Sequence, residues 1–268
     1  MKAIIVALAM FMALSVTQAR DRVLVPAGSF HMGCSMGDDL CEDDEGPRGG
    51  IAVFVPAFLI DRHEVTVAAY KTCVNSGKCK APLTHKDSQY CNYNAPGHDK
   101  HPVNCLDWEA AQNYCLVHDG RLPREAEWEK AARAGSTSRY PWGQTVSCKH
   151  AILDEVSPAK SSREPDGCYT DATFPVASRL ANAWGIFDMN GNAGEWVFNW
   201  YAPDAIADLY ANGDLSAPRQ GRKKIVRGGS WDENKANLRS SYRNVKPSQQ
   251  SGSIYGSIGF RCAADASN

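Results

Sequence analysis

The sequence has none of the short motifs that identify the commonest nucleophile, haem, nucleotide and zinc-protease sites: it contains no GxSxG, CxxCH, Walker loop or HExxH. It also lacks an excess of either charge. The formal net charge is -1 over 268 residues, so neither a nucleic acid nor an anionic membrane is expected as a partner. Beyond the N-terminal segment, no apolar run reaches the roughly 20 residues that a transmembrane helix needs. The remaining class is a globular protein, long enough to bury a substantial core.

The N-terminal segment has the composition of a secretory signal peptide. Lys2 supplies a positive charge, residues 3–16 are nearly all apolar, and Ala19 is a small residue at the end of the segment. We expect cleavage near Ala19, with a signal peptide at 1–19 and one folded domain at 20–268. The mature protein is therefore expected to be secreted or periplasmic.

The cysteines agree with an exported protein, because an even number in such a chain is typical of a disulfide framework. The ten are Cys34, Cys41, Cys73, Cys79, Cys91, Cys105, Cys115, Cys148, Cys168 and Cys262. Proximity along the chain suggests the pairs Cys34–Cys41, Cys73–Cys79, Cys91–Cys105 and Cys148–Cys168, which leaves Cys115 and Cys262. Spacing alone leaves other connectivities open. If all ten are paired, no free thiol remains for chemistry.

The hydrophobic pattern predicts few helices and short strands. Helices are expected after Thr66, over 106–118 with Asp107 as the cap, and over 123–134 before Gly135. Strands are expected within 22–33, 54–65, 225–231 and 258–263, and most of the remaining chain is Gly-, Asn- and Pro-rich. The fold class is therefore α+β, a single irregular domain stapled by disulfides.

Nine segments, taken in order, resemble the formylglycine-generating enzyme (sulfatase-modifying factor) family. They are VPAGSFHMG at 25–33, DEGP at 44–47, FLIDRHEVTVAAY at 58–70, HPVNCLDWEAAQNYC at 101–115, GRLPREAEWEKAARAG at 120–135, YPWG at 140–143, WGIFDMNGNAGEWV at 184–197, RGGSW at 227–231 and IGFRCA at 258–263. The resemblance implies one domain related to the C-type-lectin fold. It also implies that Cys115 and Cys262 form the family's long-range disulfide.

The chain departs from the family at the site of its oxidation chemistry. In formylglycine-generating enzymes, two cysteines just after the RGGS segment bind copper(I) and activate oxygen to convert a sulfatase cysteine, and soft thiolates are the ligands that this metal prefers. Residues 228–240 contain no cysteine, and Glu233 falls where the first thiol would be. The family's second structural disulfide is also absent, at Ala132 and Ser240. We therefore do not expect copper, and Asp232 and Glu233 are the weak catalytic candidates.

A calcium site is expected in a different loop. Asp188, Gly191, Ala193 and Glu195 match the family's calcium loop, and two carboxylates in a Gly- and Asn-rich loop can converge on one ion. The alternative is that both carboxylates make only turn hydrogen bonds. Asp166 matches one ligand of a second family site. The acidic run at 38–45 is interpreted as a solvated loop, with a cation site as the alternative.

Beside the RGGSW loop, Ser230, Trp231, Arg239 and Arg243 are candidates for lining a groove, although structural salt bridges are the alternative role of the arginines. The first hypothesis is thus a non-oxidase family member that binds a peptide, protein or glycan in that groove. The second is a periplasmic enzyme with divergent, carboxylate-based oxidation or maturation chemistry. The third, a true formylglycine-generating oxidase, is opposed by the missing thiols.

Overall fold

The computed structural model describes residues 21–82, 89–154, 171–249 and 256–266. Its helices are α1 (Val67–Asn75), α2 (Trp108–Leu116) and α3 (Glu125–Arg133). Its strands are β1 (Arg22–Val25), β2 (Gly28–Met32), β3 (Ile51–Val55), β4 (Phe58–Asp61), β5 (Gly194–Trp200), β6 (Lys224–Arg227), β7 (Asn244–Lys246), β8 (Ile258–Gly259) and β9 (Ala263–Asp265). Short helical turns lie at Asp43–Glu45, Ile206–Tyr210 and Lys235–Leu238.

The three predicted helices are confirmed, and local capping explains where they begin and end. The Thr66 side chain accepts a hydrogen bond from the Ala69 amide at the start of α1, and Asp107 does the same for Ala110 at the start of α2. Helix α3 begins two residues after Pro123 and ends at Ala134, which has a positive φ of 46°. Its observed start is two residues later than predicted.

The strands form three small sheets, ordered β1-β4-β9, β2-β3 and β7-β6-β5-β8. All pairs are antiparallel except β5 with β8. Two strands, β5 and β7, lie in regions where none was predicted. Five of the seven residues of β5 are buried, so its sequence lacks the alternation that marks a strand with one face in solvent.

Helix α3 occupies the centre of the molecule. All nine of its residues are buried, including Trp128 and Ala131 in the main apolar cluster. Glu125, Glu129 and Arg133 are buried with them, and Glu129 accepts a 2.8 Å hydrogen bond from Arg133 within the helix. A central helix with buried charges requires buried partners on the elements around it, because an unpaired charge in the interior is costly.

Disulfides secure the fold as predicted at Cys34–Cys41, Cys73–Cys79, Cys91–Cys105 and Cys115–Cys262. The last bridge joins α2 to the segment before β9 and spans 147 residues, for which loop-closure entropy gives roughly 5 kcal/mol. Cys148 is also disulfide-bonded, and its predicted partner Cys168 lies outside the described residues. No cysteine in the described segments is free. The same segments include no helix long and apolar enough to cross a membrane.

Candidate active site in the loop after strand β6

The loop that follows β6 is fixed by close backbone contacts at two glycines. Gly228 and Gly229 have positive φ values of 95° and 66°. A side chain on Gly228 would lie 2.8 Å from the Met189 carbonyl oxygen, and one on Gly229 would lie 2.7 Å from that of Asn237. Glycine is therefore needed here for tight backbone packing.

The next residues form a hydrogen-bonded turn. The Glu233 amide donates to the Ser230 carbonyl oxygen at 3.2 Å, and the Asp232 amide donates to Ser230 Oγ at 3.3 Å. The Asp154 amide donates to the Glu233 carbonyl oxygen at 3.1 Å. The Trp231 amide donates to the Asn192 carbonyl oxygen at 3.0 Å. Both the amide and the carbonyl group of Glu233 are hydrogen-bonded, so its backbone is held in place.

The Glu233 carboxyl group has one buried oxygen without a hydrogen-bond partner among the described residues. Its Oε1 accepts a hydrogen bond from Asn244 Nδ2 at 3.0 Å, whereas Oε2 is buried and has no hydrogen-bond partner among the described residues. Burial raises the pKa of Glu233 to about 7; the nearby Lys246 ammonium and the Asn244 amide lower it, and Asp232 raises it further. A carboxyl group with this pKa can release and accept a proton at neutral pH.

Strand β7 supplies the side chains that face Glu233. Asn244 and Lys246 are two residues apart, so they lie on the same face of the strand, and both are half-buried. Tyr242 precedes the strand, and burial together with the charge of Glu233 raises the pKa of its phenol to about 12. The group that was predicted as a weak candidate, Glu233, thus lies beside three donors that the sequence analysis did not assign. In the sequence, Tyr242, Asn244 and Lys246 stand at every second position, and this alternation could have indicated a strand with these side chains on one face.

Asp232 is exposed at the rim of this site. Partial burial raises its pKa, and the charges of Asp154 and Asp171 raise it further. Trp231 is buried and stacks on Tyr90 with the ring centroids 5.3 Å apart, while Tyr90 itself is 43% exposed. Ser230 is 2% exposed. The predicted groove residues Ser230 and Trp231 are therefore buried beneath the surface of the loop. Tyr90, which was not predicted, provides the accessible ring.

The prediction that Arg239 and Arg243 line a groove is wrong. Arg239 is 1% exposed and makes two 2.6 Å hydrogen bonds to the Glu45 carboxylate. Arg243 is 3% exposed and contacts the Glu125 carboxylate of α3 at 2.8 and 3.0 Å. Both arginines are structural, as the alternative interpretation had it, because burying a guanidinium requires a carboxylate partner.

The acidic run at 38–45 is not a fully solvated loop either. Asp38 and Glu45 are completely buried, and both contact Arg239. Asp39 pairs with Arg139 at the surface. Part of this run therefore neutralises the buried Arg239, which lies 194 residues from Glu45 in the sequence.

The predicted calcium loop lies in a buried cluster of charges. Glu195 accepts hydrogen bonds from Arg261 at 2.6–2.9 Å and from Trp128 Nε1 at 2.7 Å. Glu64 and Asp188 lie close by; burial and the neighbouring carboxylates raise the pKa of Glu64, and burial is the main cause of the raised pKa of Asp188. Each of the three carboxyl groups also accepts a hydrogen bond from the protein: Glu195 from Arg261, Glu64 from the Ala193 amide and Asp188 from the Ala177 amide.

The rest of the predicted ligand set is only partly described. Gly191 has a φ of 105°, and its position allows no side chain because the Ile152 carbonyl oxygen is 2.4 Å from where a Cβ would lie. The Ala193 amide donates to Glu64 at 3.1 Å. Asp166 lies outside the described residues. Within the described ranges, no set of three or more His, Cys, Asp or Glu side chains is arranged around one point.

The fold, the disulfide framework and the loop after β6 define an α+β domain of the sulfatase-modifying factor type, related to the C-type-lectin fold. The family model described as "Sulfatase-modifying factor enzyme 1-like domain" matches residues 9–266. The chain belongs to this family.

The chain is similar to two proteins in sequence and to one solved structure. The chain is 29% identical to a formylglycine-generating enzyme of Thermomonospora curvata, covering 92% of this chain and 94% of that protein. It is 31% identical to the serine/threonine-protein kinase Pkn1 of Chlamydia trachomatis, covering 91% of this chain and 38% of that protein. The structure of PvdO from Pseudomonas aeruginosa matches with a TM-score of 0.71 and 27% identity, covering 91% and 94%. Since the chain spans only 38% of the kinase, kinase activity does not follow for it.

Proposed function

We propose that this chain is an enzyme that uses the Glu233 carboxyl group for proton transfer, in place of the thiol and copper chemistry of formylglycine-generating enzymes. The observation that carries the proposal is the buried Glu233 Oε2, which has no partner in the described structure although it lies beside the RGGSW loop. Buried polar atoms are normally hydrogen-bonded, and exceptions are concentrated at functional sites.

The chemistry of the site supports an acid–base role. The pKa of about 7 leaves Glu233 partly ionised at neutral pH, so the same group can act as base and acid in successive steps. The resemblance puts Glu233 in the position of the family's first catalytic thiol. Oxygen and nitrogen groups are poor ligands for copper(I), so we propose that copper has no role in this site.

The first experiment measures the protonation and accessibility of Glu233. A small diazo compound esterifies protonated carboxyl groups, and peptide mass spectrometry then locates the modified residues. At neutral pH we expect Glu233 to be modified ahead of the exposed glutamate Glu109, and we expect Glu233→Gln to remove that product. Modification of Glu233 that declines with rising pH at the same midpoint as that of Glu109 would contradict the proposal.

The second experiment tests the thiol chemistry directly. The protein is incubated with a Cys-x-Pro-x-Arg peptide, copper(I) and oxygen, and oxygen uptake and the peptide mass are followed. We expect neither oxygen consumption above the buffer level nor a formylglycine product. Turnover of the peptide would show that thiol-type oxidation persists in this chain and would overturn the proposal.

A second candidate function is the binding of a peptide, protein or glycan partner. It is supported by Tyr90, whose exposed ring is backed by the buried Trp231 and could stack on such a ligand. The probe is an array of immobilised peptides and glycans, with Tyr90→Ala as the test variant and Glu233→Gln as the control. A hit that survives Tyr90→Ala but is lost in Glu233→Gln would favour the enzyme and contradict this candidate.

We further propose that calcium is held in the loop that carries Asp188, Gly191, Ala193 and Glu195, where it would offset the excess of buried carboxylates and order the backbone. Elemental analysis and thermal unfolding with calcium or a chelator test this. We expect calcium to raise the melting temperature, and Asp188→Asn to weaken that effect while the exposed Asp214→Asn does not. No bound metal and no change in melting temperature would contradict the proposal.

Export is the last part of the proposal. The disulfides are typical of proteins that fold in an oxidising compartment, and the N-terminal segment was predicted to be a signal peptide. We propose cleavage near Ala19 and a secreted or periplasmic location. N-terminal sequencing of protein recovered from the periplasm of a bacterial host should find a chain that begins close to residue 20, whereas recovery of the intact chain from the cytoplasm would oppose export.

A further inference from the structure

We propose that Asn244 is a positioning residue, which fixes the Glu233 carboxyl group so that its exchangeable proton is carried by Oε2. This inference rests on the proposed function of Glu233 and adds to it a second residue and a specific reacting atom. It follows from the hydrogen bonds of the Asn244 and Glu233 side chains and from the position of Asn244 on β7.

The orientation of the Asn244 amide is determined at both ends. Its Oδ1 accepts a hydrogen bond from the Val245 amide at 2.8 Å, and its Nδ2 donates to Glu233 Oε1 at 3.0 Å. Rotating the amide by half a turn would place oxygen against oxygen at Glu233 and nitrogen against an N–H at Val245. Both hydrogen bonds would be lost, so only one orientation is stable.

The backbone of Asn244 is also held in place. Asn244 begins β7 and pairs with Val226 of β6, in the strand that leads directly into the Gly228-Gly229 segment and on to Glu233. The positioning residue and the acid are therefore attached to the same pair of strands. A side chain on a sheet is held more precisely than one on a free loop.

This arrangement makes the two carboxyl oxygens of Glu233 different. Oε1 receives the Asn244 N–H and must act as an acceptor, so in the protonated acid the hydrogen lies on Oε2. Oε2 is the atom without a partner in the described structure. The proton that Glu233 gives to a substrate, or takes from it, consequently passes through Oε2.

Other charged and titratable groups around Glu233 act on both oxygens and do not replace this role. Lys246 of β7 is a cation on the same strand face, Tyr242 precedes that strand, and Asp232 lies on the same turn. Lys246 favours the ionised carboxylate and Asp232 opposes it, but neither makes a hydrogen bond to the carboxyl group in the described structure. Asn244 is the group that distinguishes one oxygen from the other.

The test measures the titration of Glu233 without relying on catalysis. The folded protein with all disulfides intact is labelled at the glutamate side-chain carbon, and the carboxyl resonance that disappears in Glu233→Gln is followed against pH. In Asn244→Ala the carboxylate loses a hydrogen bond, so the midpoint should rise by roughly one pH unit. In Asn244→Asp, which has the same shape but adds a negative charge, the midpoint should rise at least as far.

The exposed Asn212→Asp serves as the matched control and should leave the midpoint unchanged, and near-ultraviolet circular dichroism verifies the fold of each variant. A midpoint near 7 in the parent that stays there in both Asn244 variants would overturn the positioning role and leave the proposed function standing. A parent midpoint near that of an ordinary glutamate would instead overturn the proposed function itself. An Asn244 variant that does not fold is replaced by Asn244→Ser, for which a rise is again expected.

Discussion

Replacing Glu233 by glutamine should remove a specific dependence of stability on pH. Glu233 has a pKa of about 7 in the folded protein, against 4.5 for an ordinary glutamate. Between these values the folded state holds more protons at this site than the unfolded state, so the stability contributed by the site is present below pH 4.5 and is lost as the pH rises towards 7. At 1.36 kcal/mol per pH unit, the loss amounts to about 3 kcal/mol as an upper bound.

The assay is urea unfolding of the parent and of Glu233→Gln at pH values from about 4 to 8, with disulfides intact. Glutamine has a similar shape and does not titrate. As the pH rises, the free energy of unfolding of the parent should therefore fall relative to that of Glu233→Gln. Glu109→Gln, at an exposed glutamate, should show no such trend. Parallel curves for the parent and Glu233→Gln would refute the reasoning, since they would mean that Glu233 titrates alike in the folded and unfolded states.

Two further substitutions test the framework around the site. Glu45→Gln leaves the buried Arg239 with only the longer 3.4 Å contact to Asp38 and should cost up to about 3–5 kcal/mol in chemical unfolding. Asp214→Asn, in an exposed pair, should change stability by less than about 1 kcal/mol. A small loss for Glu45→Gln would mean that the ion pair is not as buried as described. Gly229→Ala should lower the free energy of unfolding by about 2 kcal/mol or more, because of its positive φ and the 2.7 Å approach of a carbonyl oxygen; a neutral result would contradict the close packing of the loop.

The parts of the fold that the sequence predicts are those determined by neighbours in the chain. Thr66 and Asp107 cap helices whose first amides are three residues away, and Gly135 follows the left-handed residue that ends α3. The short-range disulfides are also determined by neighbours in the chain, because the described bridges join cysteines at most 14 residues apart. The long-range bridge between Cys115 and Cys262 came from the family resemblance and agrees with the structure.

The parts that the sequence does not predict are determined by residues far apart in the chain. Arg239 and Glu45 are separated by 194 residues, and Arg243 and Glu125 by 118. From the sequence alone, two arginines close to the RGGSW loop are compatible with a structural salt bridge and with a ligand-binding groove. Only the packing of α3 and the acidic run against them shows that their charges are already neutralised.

The same packing suggests how the loop after β6 stays in place without the family's second disulfide, which is absent at Ala132 and Ser240. Arg227, at the end of β6, donates to Glu129 of α3 at 2.5 Å and to the Ser240 carbonyl oxygen at 2.8 Å. The guanidinium thus connects the central helix to the segment that contains Ser240. Because this connection is ionic and fully buried, it is insensitive to reducing agents, and it anchors β6, which carries the turn with Glu233 and pairs with the strand of Asn244. The position of the Glu233 carboxyl group therefore depends on the buried ion pair of Arg227 as well as on the hydrogen bond from Asn244.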